Sequence, residues 1–361
     1  MRILVARATG ALGRQLLPRL VANGHDVLGM TRSASIRDAV AALGATPVVA
    51  DALDSEQVAR TVADAQPEAI VHKLTALSGA PDMRHFDRAF ATTNRLRTEG
   101  TDHLLTAARA VGVRRFVAQS FAGWPFARTG GPLKTEEDPL DPTPPDTMRH
   151  TFGAIRYLED AVTGADWIKG VVLRYGFFYG PGTSLGPDGE HVESIRKRRF
   201  PLVGDGGGVW SFIQIDDAAQ ATVAAVERGR PGIYNIVDDD PAPLAQWLPA
   251  VASTLGAKPP RRLPRWLGRL LAGEPATGHD DRGAGGLERQ GKARARLAAE
   301  PRELARGLRA PRGVSGTTGS IGPLAARALP LLRVTPRQRS AHPAGGREGQ
   351  VTKRRRVVRR D

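Results

Sequence analysis

The 361-residue chain has no cysteine, only 5% aromatic residues and no run of 18 or more apolar residues. The first absence excludes a disulfide framework, a thiolate metal site and a cysteine nucleophile. The last excludes a sequence-evident membrane helix, and the N-terminal apolar run is broken by Arg7 and Arg14, so it does not read as a signal peptide. A cytoplasmic location without membrane contact is therefore expected. At 41% hydrophobic and 25% charged residues, the composition is that of a globular protein and excludes wholesale disorder, a collagen repeat and a coiled coil. The length allows one large core or two smaller ones.

The formal charge of +15 is unevenly placed. Residues 1–278 carry 32 Lys and Arg against 30 Asp and Glu, whereas residues 279–361 carry 20 against 7. A nearly neutral body thus precedes a basic tail. In that tail Gly, Ala, Arg and Pro dominate, and the last aromatic residue of the chain is Trp266. Such a segment has little to bury and is expected to be disordered.

In the body, the apolar run Arg2-Ile3-Leu4-Val5-Ala6 fits a buried parallel strand, and Thr9-Gly10-Ala11-Leu12-Gly13 leads into a helical pattern of Leu16, Leu17, Leu20 and Val21. Gly24 ends that helix, and His25 to Met30 reads as a second strand, completing a βαβ unit. Further strands are expected at 47–51, 69–72, 115–120 and 170–174, with helices between them. This alternation predicts an α/β fold with a doubly wound parallel sheet, Rossmann-like. Residues 1–178 would form mainly the dinucleotide-binding domain, 179–275 a small C-terminal substrate region, and 279–361 the tail. Residues 128–147, rich in Pro, Gly and acid, read as a loop at the carboxyl edge of the sheet.

Gly10 and Gly13 lie where a glycine turn lets a dinucleotide diphosphate approach the backbone at a helix N-terminus. Arg7 stands where the first glycine of G-x-x-G-x-x-G belongs, so either cofactor binding is impaired or the loop is rearranged. Arg32 after the second strand suits a 2′-phosphate, favouring NADP over NAD, while a solvated surface arginine is the competing reading. Asp238-Asp239-Asp240 fits a turn better than a metal site.

The motifs Ala8-Thr9-Gly10-Ala11-Leu12-Gly13, Asp51, Val71-His72, Asn94 with Gly100-Thr101-Asp102-His103-Leu104-Leu105, Gln119-Ser120, Leu173-Arg174-Tyr175 with Tyr179-Gly180-Pro181-Gly182, and Phe212-Ile213-Gln214-Ile215-Asp216-Asp217 occur in order over about 275 residues. On them the chain resembles an extended, atypical short-chain dehydrogenase/reductase of the NAD-dependent epimerase/dehydratase family. The resemblance implies that Thr9, Gly10, Leu12, Gly13, Arg32, Asp51, His72 and Asn94 bind NADP or NAD, that Ser120 is the catalytic Ser/Thr, and that two copies pair through helices. It also implies a Tyr four residues before a Lys. Aligned by Glu159, those two positions hold Thr151 and Ile155, neither of which does that acid–base work. Tyr175, Tyr157, His72 and His150 are candidate substitutes, each with a packing or surface role as the more ordinary reading. Trp210 stands where nucleotide-sugar members carry an Arg for a diphosphate, so a small, not strongly anionic substrate is expected. Arg196-Lys197-Arg198-Arg199 reads as a solvated helix face that could compensate in part.

Family members usually end in a segment resembling S-N-A-K-A-x-R-E-L-G-W-x-P and then W-R-E-G-F. Back-translated and read one nucleotide later, residues 279–308 permit that same consecutive pattern. The expectation is a frame shift just before His279, which would leave the basic tail without an evolved partner; Arg7 is likewise one base from glycine. The rival reading is a basic arm that binds nucleic acid through Lys353-Arg354-Arg355-Arg356 and Arg359-Arg360, a partner the sequence disfavours. The sequence therefore favours an NAD(P)-dependent oxidoreductase or epimerase-type enzyme, with a non-catalytic dinucleotide-binding redox sensor or regulatory module as the alternative.

Overall fold

The computed structural model describes residues 1–77, 82–131 and 133–272; the expectations for the basic tail, including the frame shift, lie outside the described residues. The chain opens with β1 (Arg2–Ala6), α1 (Ala11–Ala22), β2 (Asp26–Thr31), α2 (Arg37–Ala41), β3 (Thr46–Val49), α3 (Ser55–Ala65) and β4 (Ala69–His72). It continues through α4 (Phe86–Ala89), α5 (Ala91–Arg97), α6 (Glu99–Val111), β5 (Arg115–Phe121), α7 (Arg149–Thr163) and β6 (Lys169–Tyr175). Then come β7 (Phe177–Tyr179), α8 (Glu190–Arg196), β8 (Leu202–Val203), β9 (Val209–Trp210), β10 (Phe212–Gln214) and α9 (Ile215–Arg228). The described part closes with β11 (Gly232–Ile236), β12 (Ala242–Pro243), α10 (Leu244–Thr254), β13 (Arg262–Leu263) and α11 (Arg265–Ala272).

Seven parallel strands form one sheet in the order β11-β6-β5-β4-β1-β2-β3. The expected Rossmann-like sheet is thus present. Its strands are apolar throughout because helices cover both faces. In β1, Ile3 and Val5 point to the side of α1 and α9, while Leu4 and Ala6 point to the side of α3 and α6. Leu12, Leu16, Leu17 and Leu20 of α1 complete the first of these cores together with Ile215, Ala218 and Val226. Gly24, at φ +78°, ends α1 in the left-handed region that glycine enters without steric penalty.

The residues after β6, where the sequence predicts a separate substrate region, are interleaved with the sheet and do not simply follow it. After β7 the chain leaves the sheet to build a third core around Tyr179, Val192, Ile195, Phe212, Trp247 and Leu248. Between these pieces α9 returns to pack on the α1 face and β11 pairs with β6 as the edge strand. The reason is topological: a parallel edge strand needs a helical crossover on one face, and α9 supplies it. Leu16 is fully buried under this crossover. Leu16→Ala is expected to lower the unfolding free energy by about 3 kcal/mol in a urea titration, as a cavity in a close-packed core does.

Candidate cofactor and active site

The strand order reverses between β1 and β4, which run side by side while the connections that leave them diverge. At the carboxyl ends of such strands a crevice opens, the usual place for a ligand in a doubly wound sheet. Gly10 is the N-cap of α1; no side chain caps its first turn and no acid lies in it. The first N–H groups of the helix are therefore directed at the crevice without a side-chain partner among the described residues. A Cβ on Gly13 would lie 2.1 Å from the Ala8 carbonyl oxygen, so only glycine permits the helix to start this close to β1. Thr9 and Gly10 are half-buried, whereas the Leu12 side chain belongs to the core, leaving its backbone N–H for any ligand.

Arg7 adopts φ +69°. Its N–H donates to the Met30 carbonyl at 3.1 Å, and its side chain folds over the turn, with Nε 3.0 Å from where a Cβ on Gly10 would sit. The turn thus keeps the left-handed residue that glycine would occupy freely, and fills the space above Gly10 with a guanidinium. Burial and, after it, the charge of Arg32 lower the Arg7 pKa. Arg32 itself is exposed beyond β2. Asp51, after β3, accepts the Leu53 N–H at 3.0 Å and so orders the turn into α3.

His72 closes β4 and is buried. Thr101 donates its hydroxyl to the Arg97 carbonyl, so the Nε2–H of His72 donates to Thr101 Oγ1 at 2.9 Å, and Nδ1 accepts the Leu74 N–H at 3.2 Å. Both ring nitrogens are occupied and the ring is neutral; burial, reinforced by Arg97, pushes its pKa down to about 3. This histidine shapes the turn after β4, with both ring nitrogens engaged inside the protein. Asn94, from α5, donates Nδ2 to Thr151 Oγ1 at 3.0 Å, and its buried Oδ1 has no hydrogen-bond partner among the described residues.

On the α7 side, Ser120 Oγ donates to Glu159 Oε1 at 2.5 Å. Glu159 is clasped by Arg174, with Nε at 2.9 Å and Nη2 at 2.6 Å, and this pair is almost wholly buried. The Arg174 guanidinium also lies 5.1 Å from the centre of the Phe126 ring. Thr151 donates its hydroxyl to Asp87 at 2.6 Å while accepting from Asn94. One turn on, Ile155 packs among Ala122, Phe126, Leu140 and Val237.

The candidate proton donors are placed elsewhere. Tyr175 lies in the core on the α1 and α9 face; its hydroxyl donates to Thr222 Oγ1 at 2.6 Å, since Thr222 donates to the Ala218 carbonyl. Burial drives its pKa above the ordinary phenol range, and it packs on the opposite face of the sheet from Ser120, which meets Glu159 of α7. Tyr157 is exposed and bonded to both Asp102 oxygens, at 2.7 and 2.8 Å, which raises its pKa. His150 is exposed at the start of α7.

Two features escaped the sequence reading. Lys73, directly after β4, is 3% exposed, and burial with the nearby Arg7 charge lowers its pKa to about 7; the signal was a lysine ending an apolar strand. The Glu159–Arg174 pair was signalled only by an arginine in the otherwise apolar β6 and by an acid on the buried side of α7. The chain is also locally rich in aromatics where the strands end. Phe86, Phe90 and Phe152 surround Trp124, which touches Phe121; Phe121 meets Phe177 edge-on at 5.0 Å, and Phe177 stacks on Trp210 at 4.2 Å. Phe121, Trp124, Phe177 and Trp210 remain partly exposed.

The uncapped helix start, the clearance at Gly13, and Lys73 and Asn94 Oδ1, which have no side-chain partner among the described residues, fit a bound dinucleotide. A doubly wound sheet with this crevice defines a dinucleotide-fold protein. The family model for the NAD dependent epimerase/dehydratase family matches residues 3–237, and the chain belongs to that family. It is 49% identical over 275 residues to a 3-diazoavenalumate denitrifying reductase from Streptomyces sp, covering 76% of this chain and 88% of that protein. It is 30% identical over 262 residues to a 4-hydroxy-2-methyl-3-oxo-4-farnesyl-3,4-dihydroquinoline-1-oxide ketoreductase from Stigmatella aurantiaca, covering 72% and 74%. Among solved structures it is similar to a dTDP-glucose 4,6-dehydratase from Streptomyces venezuelae with NAD bound, at TM-score 0.65 and 21% identity over 85% of this chain and 94% of that one. The Thermus thermophilus UDP-glucose 4-epimerase in complex with NAD gives TM-score 0.62 and 24% identity, covering 87% and 95%.

Arg7→Gly is expected to raise the unfolding free energy by about 1 kcal/mol, because a non-glycine residue in the left-handed region is strained; a lower urea midpoint would contradict the reading of the turn. For His72, the unfolded imidazole takes up its proton near pH 6.5 and the folded one only near 3. Stability should therefore fall as pH drops through that window, by up to about 1.4 kcal/mol per pH unit. His72→Gln should flatten this slope in urea titrations between pH 7 and 4.

Proposed function

We propose that the protein is an NADPH-dependent reductase that delivers hydride to the diazo-bearing carbon of an aromatic ring, releasing dinitrogen. The observation that carries this reading is α7, where Thr151 and Ile155 occupy the positions at which the family resemblance places the Tyr–Lys pair. Reduction of a carbonyl leaves an alkoxide that needs a proton, and the Thr151 hydroxyl is already given to Asp87. Hydride addition to an arenediazonium ion needs none: the C–N bond breaks as the C–H bond forms, the bonding pair leaves with N2, and the arene and oxidised nicotinamide remain. The similarity to a denitrifying reductase supports the same acceptor.

The bound dinucleotide would supply the hydride at C4 of its nicotinamide. The chain's own residues position and enclose. The first turn of α1 and Thr9, Gly10 and Gly13 would hold the diphosphate, Asn94 and the turn shaped by His72 a ribose, and Arg32 the 2′-phosphate. The partly exposed rings of Phe121, Trp124, Phe177 and Trp210 would take the aromatic acceptor and stabilise its cationic diazonium through their π faces. Ser120, held by Glu159, faces the same edge as a hydrogen-bond donor turned inward until a ligand competes for it.

The decisive assay supplies deuteride-labelled NADPH and an arenediazonium carboxylate to the purified protein. Deuterium should appear at the ring carbon that lost nitrogen, with one N2 per NADPH, well above a protein-free control. A rate no higher than that control sinks the reading; saturable NADPH binding without turnover would favour a redox sensor. A ketone panel tests the second reading, ketoreduction with Ser120 on the oxygen, which the Stigmatella aurantiaca relative favours. Arg32→Ala is expected to weaken NADPH binding about tenfold and leave NADH binding unchanged in fluorescence titrations.

A further inference from the structure

Arg7 and Lys73 are the first residues beyond β1 and β4, the two strands that flank the reversal of strand order. The register that pairs Ala6 with His72 sets them side by side at the crevice. The direction of the Lys73 side chain follows from the alternation of β4. Ile70 and His72 face the α3 and α6 side, where His72 meets Thr101, while Val71 faces the α1 and α9 side. One residue further, the same alternation turns Lys73 to the α1 side, the side of Arg7.

An ammonium this deeply buried is costly unless something answers its charge. Neither Lys73 nor Arg7 has a side-chain hydrogen bond or ion pair with another described residue. What faces them is positive: Arg32 lies close enough to act on Arg7, and the opening turn of α1 adds the positive end of a helix dipole with no acid in it. Two cations, Lys73 and Arg7, and the uncapped start of a helix of twelve residues thus meet where neither cation has an acidic partner among the described residues. Such a site is complementary to a ligand carrying two adjacent negative charges. Ser120 is on the opposite, α7 side of the sheet edge, which removes Lys73 from the reacting atoms.

We propose that Lys73 is a phosphate-binding residue, its ammonium donating to a non-bridging oxygen of the dinucleotide diphosphate beside the N–H groups that open α1. The inference rests on dinucleotide binding and not on the diazo acceptor. Arg7, folded over Gly10, borders the same oxygens.

The test uses ADP-ribose, which carries the diphosphate, and adenosine, which does not, in calorimetric titrations of the full chain. Lys73→Met should weaken ADP-ribose binding about ten- to a hundredfold, the loss of one charge-assisted hydrogen bond, and leave adenosine binding within twofold. Its affinity for ADP-ribose should also fall less steeply between 50 and 200 mM salt than that of the unaltered protein. Lys73→Arg, which keeps the charge, should recover most of the affinity. Thermal unfolding of Lys73→Met should be at least as high as that of the unaltered protein, because a buried charge has been removed. Equal ADP-ribose affinity in Lys73→Met, an equal loss for adenosine, or no ADP-ribose binding by the unaltered protein would each overturn the proposal. Failure of the diazonium assay with these titrations intact would discard the acceptor and keep the lysine.

Discussion

The buried ion pair of Glu159 and Arg174 is the interaction on which the α7 side of the crevice depends. It joins α7 to β6, and through Ser120 to the end of β5, with all three side chains shielded from water. Two charges in such surroundings hold each other because each is too costly to leave alone. The geometry is bidentate, which fixes the orientation of the helix as well as its distance. Because Thr151, Ile155 and Glu159 share that helix at one-turn intervals, the pair also decides which groups α7 presents. Thr151 is locked to Asp87 and Asn94, and Ile155 is in an apolar cluster. The two positions that the family resemblance aligns with an acid–base pair are thus part of a packed, hydrogen-bonded wall.

The opposite side of the crevice is built on different physics. Around the start of α1 the protein gathers cations and unpaired N–H groups, and at the ends of β5 and β6 it gathers rings. The first surroundings suit phosphates, the second a flat and electron-poor ligand. A chain with so few aromatics places many of them beside one sheet edge, and several are only half-covered. Such rings do double duty, since those that pack the cap core also present faces to whatever enters.

The central sheet was legible in the sequence because its strands are apolar on both sides and are punctuated by glycine turns, as in Ile3 to Val5 followed by Gly10 and Gly13. Strand ends moved by a residue or two, since Asp51 and His25 join the turns. The edge strand β11 was hidden inside the substrate region, because its five residues carry no marker that they return to a sheet begun more than two hundred residues earlier. The candidate site residues divide in the same way. The glycine turn is local and could be read, whereas the engagement of Ser120 by Glu159, the closure of His72 by Thr101, and the burial of Tyr175 against Thr222 depend on partners 39, 29 and 47 residues away. Lys73 needed the β1–β4 register before its neighbour Arg7 could be identified.

The late arrival of β11 also orders the birth of the molecule. The sheet lacks an edge until Ile236 has been synthesised, and α9, which covers part of the first core, precedes that strand by only a few residues. A nascent chain stopped after β6 would expose Tyr175, Leu173 and the outer side of α1 to water. The core on the α1 face is therefore complete only when the returning segment, α9 and β11, is present.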